Sequence, residues 1–334
     1  MLLISEGRLN PMKAIKLKEI LSPTKSRILK YGQPGIAIYF GLIALVFIGG
    51  LLSPHFLKVQ NIFNVLRQAT PLFIAAVGQT YLILSGGIDL SVGSVISFTS
   101  SISCMMMIQG DQWTIPAIFV ALILGILIGF FNGFIVTFRK VPAFVVTLGM
   151  MTVIQGITLI VTGGYPKGRV SKYVQFIGEG YIGPVPLLFI FALIVIGIGQ
   201  FFLKKTIFGR YTYAVGANAQ ASYLSGIHIT KHTIKVFMLC GFTSALAGLS
   251  LAARIGVGDP FVGNGFELDS IAAVVMGGTS LAGGIGGLSG SIIGVLLIAT
   301  INNLLNLLSV SGFYQHVIKG IVIILAVSLY KGRN

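Results

Sequence analysis

From Ile115 to Phe138 the chain reads IPAIFVALILGILIGFFNGFIVTF, without one charged residue. About 20 consecutive apolar residues suffice to cross the hydrocarbon core of a bilayer, and runs of this kind recur along the sequence. Only 9% of the residues are charged and 55% are hydrophobic, whereas a soluble domain carries about a quarter charged residues. A soluble globule is excluded. Inside lipid every backbone polar group must find its partner within the protein, so long apolar runs imply helices. The expected fold class is an all-α polytopic membrane protein.

Ten spanning segments are expected, at roughly 35–53, 68–84, 90–108, 115–138, 142–162, 185–203, 233–253, 268–283, 286–308 and 313–330. The first, GIAIYFGLIALVFIGGLL, reads as an uncleaved signal-anchor helix. The segments form one transmembrane domain, 35–330, between a basic extension, 1–34, and a short tail, 331–334. The net charge of +15 reports topology. Sixteen of the 23 Lys and Arg residues fall in 1–34, Arg139-Lys140, 204–235 and the tail. These are the parts an even number of crossings places in the cytoplasm. No aromatic-interleaved basic patch suggests a nucleic-acid partner. One loop departs from the bias: Gly163–Gly183 lies outside yet carries Lys167, Arg169 and Lys172. A re-entrant segment around 85–93 or 255–267 would change the count.

Two glycine ladders, Gly125/Gly129/Gly133 and Gly286/Gly290/Gly294, recur every four residues and so lie along one helix face. In a membrane such small residues let helices approach closely. Each half of the chain places an acid at a helix start before its ladder: Asp89 in one, Glu267 and Asp269 in the other. That order suits an inverted repeat, although the spacing differs.

Between two apolar runs stands SGGIDLSVGS, residues 85–94. Gly86 and Gly87 suit the left-handed end of one helix, and Asp89 with Ser91 suits the start of the next. The expectation is a broken helix with Asp89 as its cap; a role in gating or in lining a path is the alternative. Gln79, Asn132, Asn302 and Asn306 are polar residues within apolar segments, with Asn302 and Asn306 on one helix face. With Glu267 and Asp269 they either glue helices together or line a polar pathway. Cys104 and Cys240 lie in apolar segments and read as small buried residues. The four histidines are scattered, and no HExxH, GxSxG, CxxC or GxxxxGK[ST] pattern occurs. No catalytic residues, metal site or bound cofactor are expected, and the chain is not expected to hydrolyse ATP. In the basic loop 204–232, Asn218 can cap a short helix over 219–224 that Gly226 can end. So short a helix needs something to pack on, either a docked partner or merely the protein surface.

Five stretches carry a resemblance: ILSGGIDLSVGS (83–94), KVPAFVVTLGMM (140–151), FGRYTYAVGANAQASYLSGI (208–227), NGFELDSIAAVVMGGTSLAGGIGGLSGSIIG (264–294) and NNLLNLLSVSGFYQHVIKGIVIILAV (302–327). In order and spacing the chain resembles the permease subunits of bacterial ATP-driven (ABC) importers for monosaccharides, the ribose/xylose/arabinose/galactose group, with the ribose permeases nearest in look. The resemblance implies two permease copies in the bacterial cytoplasmic membrane, where ten crossings and the Lys-rich N-terminus place both termini inside. It also implies a separate ATPase subunit that carries ATP and Mg²⁺, and an extracytoplasmic sugar-binding protein. It turns the basic loop into a coupling helix for the ATPase, with Gly209, Arg210, Gly216, Asn218, Ala221, Ser225 and Gly226 as its residues. Ala217 departs from the family pattern, in which a second glycine commonly follows Gly216. A self-sufficient secondary transporter or channel is the rival reading.

Overall fold

The computed structural model describes residues 36–321 except 316 and 319. The basic extension 1–34, the tail 331–334, His316, Lys319 and the latter part of the tenth expected segment lie outside the described residues. The described chain is helical almost throughout: α1 (Ile36–Leu52), α2 (Val59–Leu84), α3 (Val92–Met107), α4 (Thr114–Arg139), α5 (Ala143–Thr162), α6 (Lys172–Glu179), α7 (Leu187–Lys205), α8 (Ile207–Ala217), α9 (Ala219–Leu224), α10 (Ile229–Ile255), α11 (Phe266–Met276) and α12 (Leu288–Leu307). A 3-10 turn, Asp111–Trp113, leads into α4. A two-residue antiparallel hairpin, β1 (Tyr181–Ile182) with β2 (Val185–Pro186), precedes α7. Among the described residues, five helices are long and apolar enough to cross a membrane: α4, α5, α7, α10 and α12.

The centre of the molecule is α2. Every residue from Ala69 to Leu84 is buried, although Gln79 and Thr80 are among them. Phe73, Ile74, Tyr81 and Leu82 join one core with Val236, Phe237 and Cys240 of α10, Val274 of α11 and Val295 of α12. The first ten residues of α2, VQNIFNVLRQ, remain half exposed, so the helix begins well before the expected position 68. No glycine or proline interrupts them.

The first glycine ladder is the seam between α4 and α10. Gly125 abuts the carbonyl of Gly241, Gly129 that of Phe237, and Gly133 the Cα of Ile234. A Cβ at any of the three would overlap the facing backbone, which is why only glycine fits. The second ladder holds in part. Gly290 and Gly294 pack on Gly277 and on the Ala273 carbonyl of α11. Gly286, at φ 124°, stands outside α12, which starts at Leu288.

Two expected spans are shorter than they read. α3 has 16 residues and α11 has 11, roughly 24 and 17 Å at 1.5 Å per residue, against a core about 30 Å thick. Segment eight, expected at 268–283, ends at Met276 because left-handed glycines follow: Gly278, Gly283, Gly284 and Gly286. Both places named as re-entrant candidates are non-helical: 85–91 before α3 and 256–265 before α11. The second runs back along α3. Gly258 packs on Ser101, and Gly263 packs on Gly93 and donates its N–H to Ser97 Oγ at 2.9 Å. Such backbone is tolerated at membrane depth only where protein surrounds it, and Gly258 and Gly263 are both buried.

Candidate functional site

α2 ends as its sequence predicts. Gly86 adopts φ 85°; its N–H bonds Ile83 O and that of Gly87 bonds Leu82 O, each at 2.9 Å. This pair is the Schellman arrangement, which needs a residue free of Cβ strain at Gly86. The start of α3 differs from expectation. Asp89 Oδ1 accepts the N–H of Ser91 at 2.7 Å and its hydroxyl at 2.6 Å. The helix begins only at Val92, and its N-cap residue Ser91 makes no side-chain cap. Asp89 therefore closes a turn two residues long, one step ahead of the helix, and does not cap it. The aspartate reaches its own i+2 N–H more readily than one farther along.

Around this turn the fold gathers polar side chains from four elements. Asn132 of α4 donates to Ser91 Oγ at 3.0 Å, and Cys240 of α10 donates to Gln79 Oε1 of α2 at 3.5 Å. Asn132 and Cys240 also face the Asp89 carboxylate. Thr147 of α5 stitches the turn from the other side, accepting Leu90 N–H at 3.1 Å and donating to Ile88 O. Gln79, Ser91, Asn132 and Cys240 are wholly buried and Asp89 is 2% exposed. Gln79 Nε2 and Asn132 Oδ1 find no partner among the described residues. A cavity of about 290 Å³ lies beside the break, lined by Ser85, Gly86, Gly87, Lys140, Pro142 and Thr233. The chain thus holds a buried polar knot with two unmet polar atoms, Gln79 Nε2 and Asn132 Oδ1, a few residues from an open pocket at the break.

The other pathway candidates are not all in this knot. Glu267 comes near: its carboxylate packs on Gly93 in the first turn of α3 and accepts Gly265 N–H at 3.2 Å. Asp269 shares the first turn of α11, where a negative charge is favoured by the helix dipole. Asn302 and Asn306 stand toward the far end of α12. Asn306 accepts from Gln315 at 2.8 Å, and Asn302 Oδ1 is buried without a partner among the described residues. The helix glue there is Asn303, whose amide pairs reciprocally with Asn61 of α2 at 2.9 Å. The sequence marks Cys240 as a small buried residue but not its polar partners, and Thr147, in an apolar run, carries no local mark at all.

The basic loop folds as expected, with one helix more. α8 is capped by Thr206, which accepts Gly209 N–H at 3.4 Å. Gly209 packs on the Leu203 carbonyl, and Arg210 is exposed. Asn218 then caps α9 by accepting Ala221 N–H at 2.9 Å. Gly226, at φ 82°, ends it, its N–H bonding Tyr223 O at 2.9 Å. Ser225 Oγ adds a bond to Ala221 O. Ala221 faces outward, and Tyr223 and Leu224 are 68% and 79% exposed.

The end of α8, which leads into this exposed helix, is joined to the helix break by close backbone contacts, and Tyr81 of α2 stacks on Phe208 of α8. Gly284 N–H bonds Leu84 O, the last residue of α2, at 2.9 Å. Gly216 fits against that carbonyl and against Gly284 N, while Gly283 lies between Gly216 and Gly86. Ala217 packs on Gly284. The end of α8 and the end of α2 are therefore in direct contact.

The sequence profile of the family described as "Branched-chain amino acid transport system / permease component" matches residues 61–327. The chain is 45% identical over 298 residues to the ribose import permease protein RbsC of Bacillus subtilis, covering 89% of this chain and 92% of that one. It is 44% identical to the RbsC of Haemophilus influenzae, covering 86% and 90%. Identity to the xylose transport system permease protein XylH of Haemophilus influenzae is 32%, covering 89% and 97%. No solved structure matches. With most of its length matched and its relatives covered almost whole, the chain belongs to this family of transport permeases.

Proposed function

We propose that the chain is the permease subunit of an ATP-driven importer for ribose or a related pentose. The observation that carries this reading is the 45% identity to a ribose import permease across nearly the whole of both chains, well above the 32% to a xylose permease. Two copies form the pathway in the bacterial cytoplasmic membrane. A separate ATPase subunit, which binds ATP and Mg²⁺, docks on α9, and a sugar-binding protein docks on the opposite face. The termini, with the basic extension 1–34, lie on the α9 side.

The structure suggests how the parts act. A permease needs two arrangements of similar energy, and each partner shifts their balance only by binding one better than the other. The ATPase grips α9, α8 carries the movement to Leu84 and Gly86, and the break at Ser85–Gly87, which borders the pocket, passes it to the turn at Asp89. Sugar discrimination falls mainly to the binding protein.

The test is a panel of pentoses and hexoses titrated onto the cognate binding protein, followed by ATP-driven uptake in the assembled complex. Ribose should bind most tightly and be taken up. Preference for a hexose at both stages would refute the pentose assignment.

A further inference from the structure

Arg67 of α2 and Arg254 in the last turn of α10 are half buried, and Arg254 reaches the carbonyl of Gln68, the residue that follows Arg67. Arg67 Nε donates to Gly178 O at 3.1 Å, and its Nη1 lies 3.5 Å from Tyr181 Oη. Arg254 Nη1 donates to Gln68 O at 3.0 Å. Each guanidinium offers five N–H donors, and these neutral partners take few of them. Among the described residues no carboxylate reaches either arginine; the ion pair formed nearby is Lys172 with Asp111, at 3.2 Å. Two adjacent cations, partly removed from water, call for an anion that both can hold.

Their depth and surroundings indicate its source. Arg254 closes a spanning helix, Ile229–Ile255, and α2 becomes buried at Ala69, two residues after Arg67. Both cations therefore stand at the membrane boundary, the level of headgroup phosphates. α6 lies over them. It buries Val174 and Gly178, the latter against the Ala253 carbonyl. It turns Tyr173, Phe176 and Ile177 outward, and β1 adds Tyr181 and Ile182, all exposed. Aromatic and aliphatic residues beside cations make an element that lies in the headgroup layer.

We propose that Arg67 and Arg254 clamp the phosphate of a phospholipid headgroup, with α6 and β1 seated on the leaflet opposite α9. Lys167 pairs its backbone with Gly258, four residues past Arg254, and Arg169 bonds Cys104 O.

The experiment is native mass spectrometry of the full-length permease released from nanodiscs of phosphatidylethanolamine and phosphatidylglycerol. The wild type should retain phosphatidylglycerol, and Arg67→Gln with Arg254→Gln should lose retention about tenfold or more. Lys58→Gln, which removes one charge from the same face, should not. Phe176→Asp is a surface change that leaves the arginines and the fold intact, and it should weaken retention too. Equal retention by the wild type and by the arginine and Phe176 variants would overturn the proposal. So would displacement of the lipid by millimolar inorganic phosphate. A fall in affinity for the sugar-binding protein with lipid retention unchanged would assign the patch to that partner instead.

Discussion

Asp89 is a buried carboxylate whose two accepted hydrogen bonds both come from Ser91. Asp89→Ala leaves the Ser91 N–H unmet in a dry site and should cost about 1–3 kcal/mol, read as a fall in thermal unfolding temperature in detergent. Asp89→Asn keeps an acceptor oxygen and should cost clearly less. Equal losses would mean that the charge, and not the turn, is what the fold uses. At this scale the sequence was a good guide to local chemistry. The left-handed Gly86, the Asn218 cap and the Gly226 stop were all legible because each depends on residues within one turn. The neighbours of Asp89 were not. Asn132 and Cys240 meet it only through packing of α4 and α10, and nothing near them in the chain marks that meeting.

At the scale of elements, glycine decides which helices touch. Gly129→Val would drive two methyl groups into the Phe237 carbonyl, and overpacking of this kind costs about 1–3 kcal/mol or more. The expected outcome is a permease that inserts but loses its compact fold, measured by protease resistance in membranes. The ladder was readable from its spacing, but its partner helix was not. Helix lengths were less legible. Hydropathy marks where a chain is apolar and cannot tell helix from buried loop, so 277–283 was absorbed into one span and 286–287 into the next. α6 went unseen because eight residues of mixed polarity resemble a loop. For α9 the expectations concern docking. Gly226→Pro cannot adopt φ 82° and loses its N–H bond to Tyr223, and Ala221→Glu puts a charge on the outward face. Both should abolish sugar uptake and loosen the ATPase while leaving the permease inserted. Normal uptake with the ATPase still bound would remove α9 from the coupling role.

For the whole molecule, α2 runs from the face that carries Arg67 to the face that carries α9. Its buried half contacts α10, α11 and α12. Its end at Leu84 meets both the connector through Gly216 and Gly284 and the turn held by Asp89. The all-α class followed from composition alone, whereas the break-and-connector arrangement needed the fold, because it joins residues more than a hundred positions apart. On the proposed function, this chain passes sugar only when a partner hydrolyses ATP. The most direct measurement is uptake of radiolabelled ribose into proteoliposomes holding the permease alone, or with the ATPase, ATP and external binding protein. Uptake only in the complete system is the predicted result. Uptake by the permease alone, driven by an ion gradient, would contradict it.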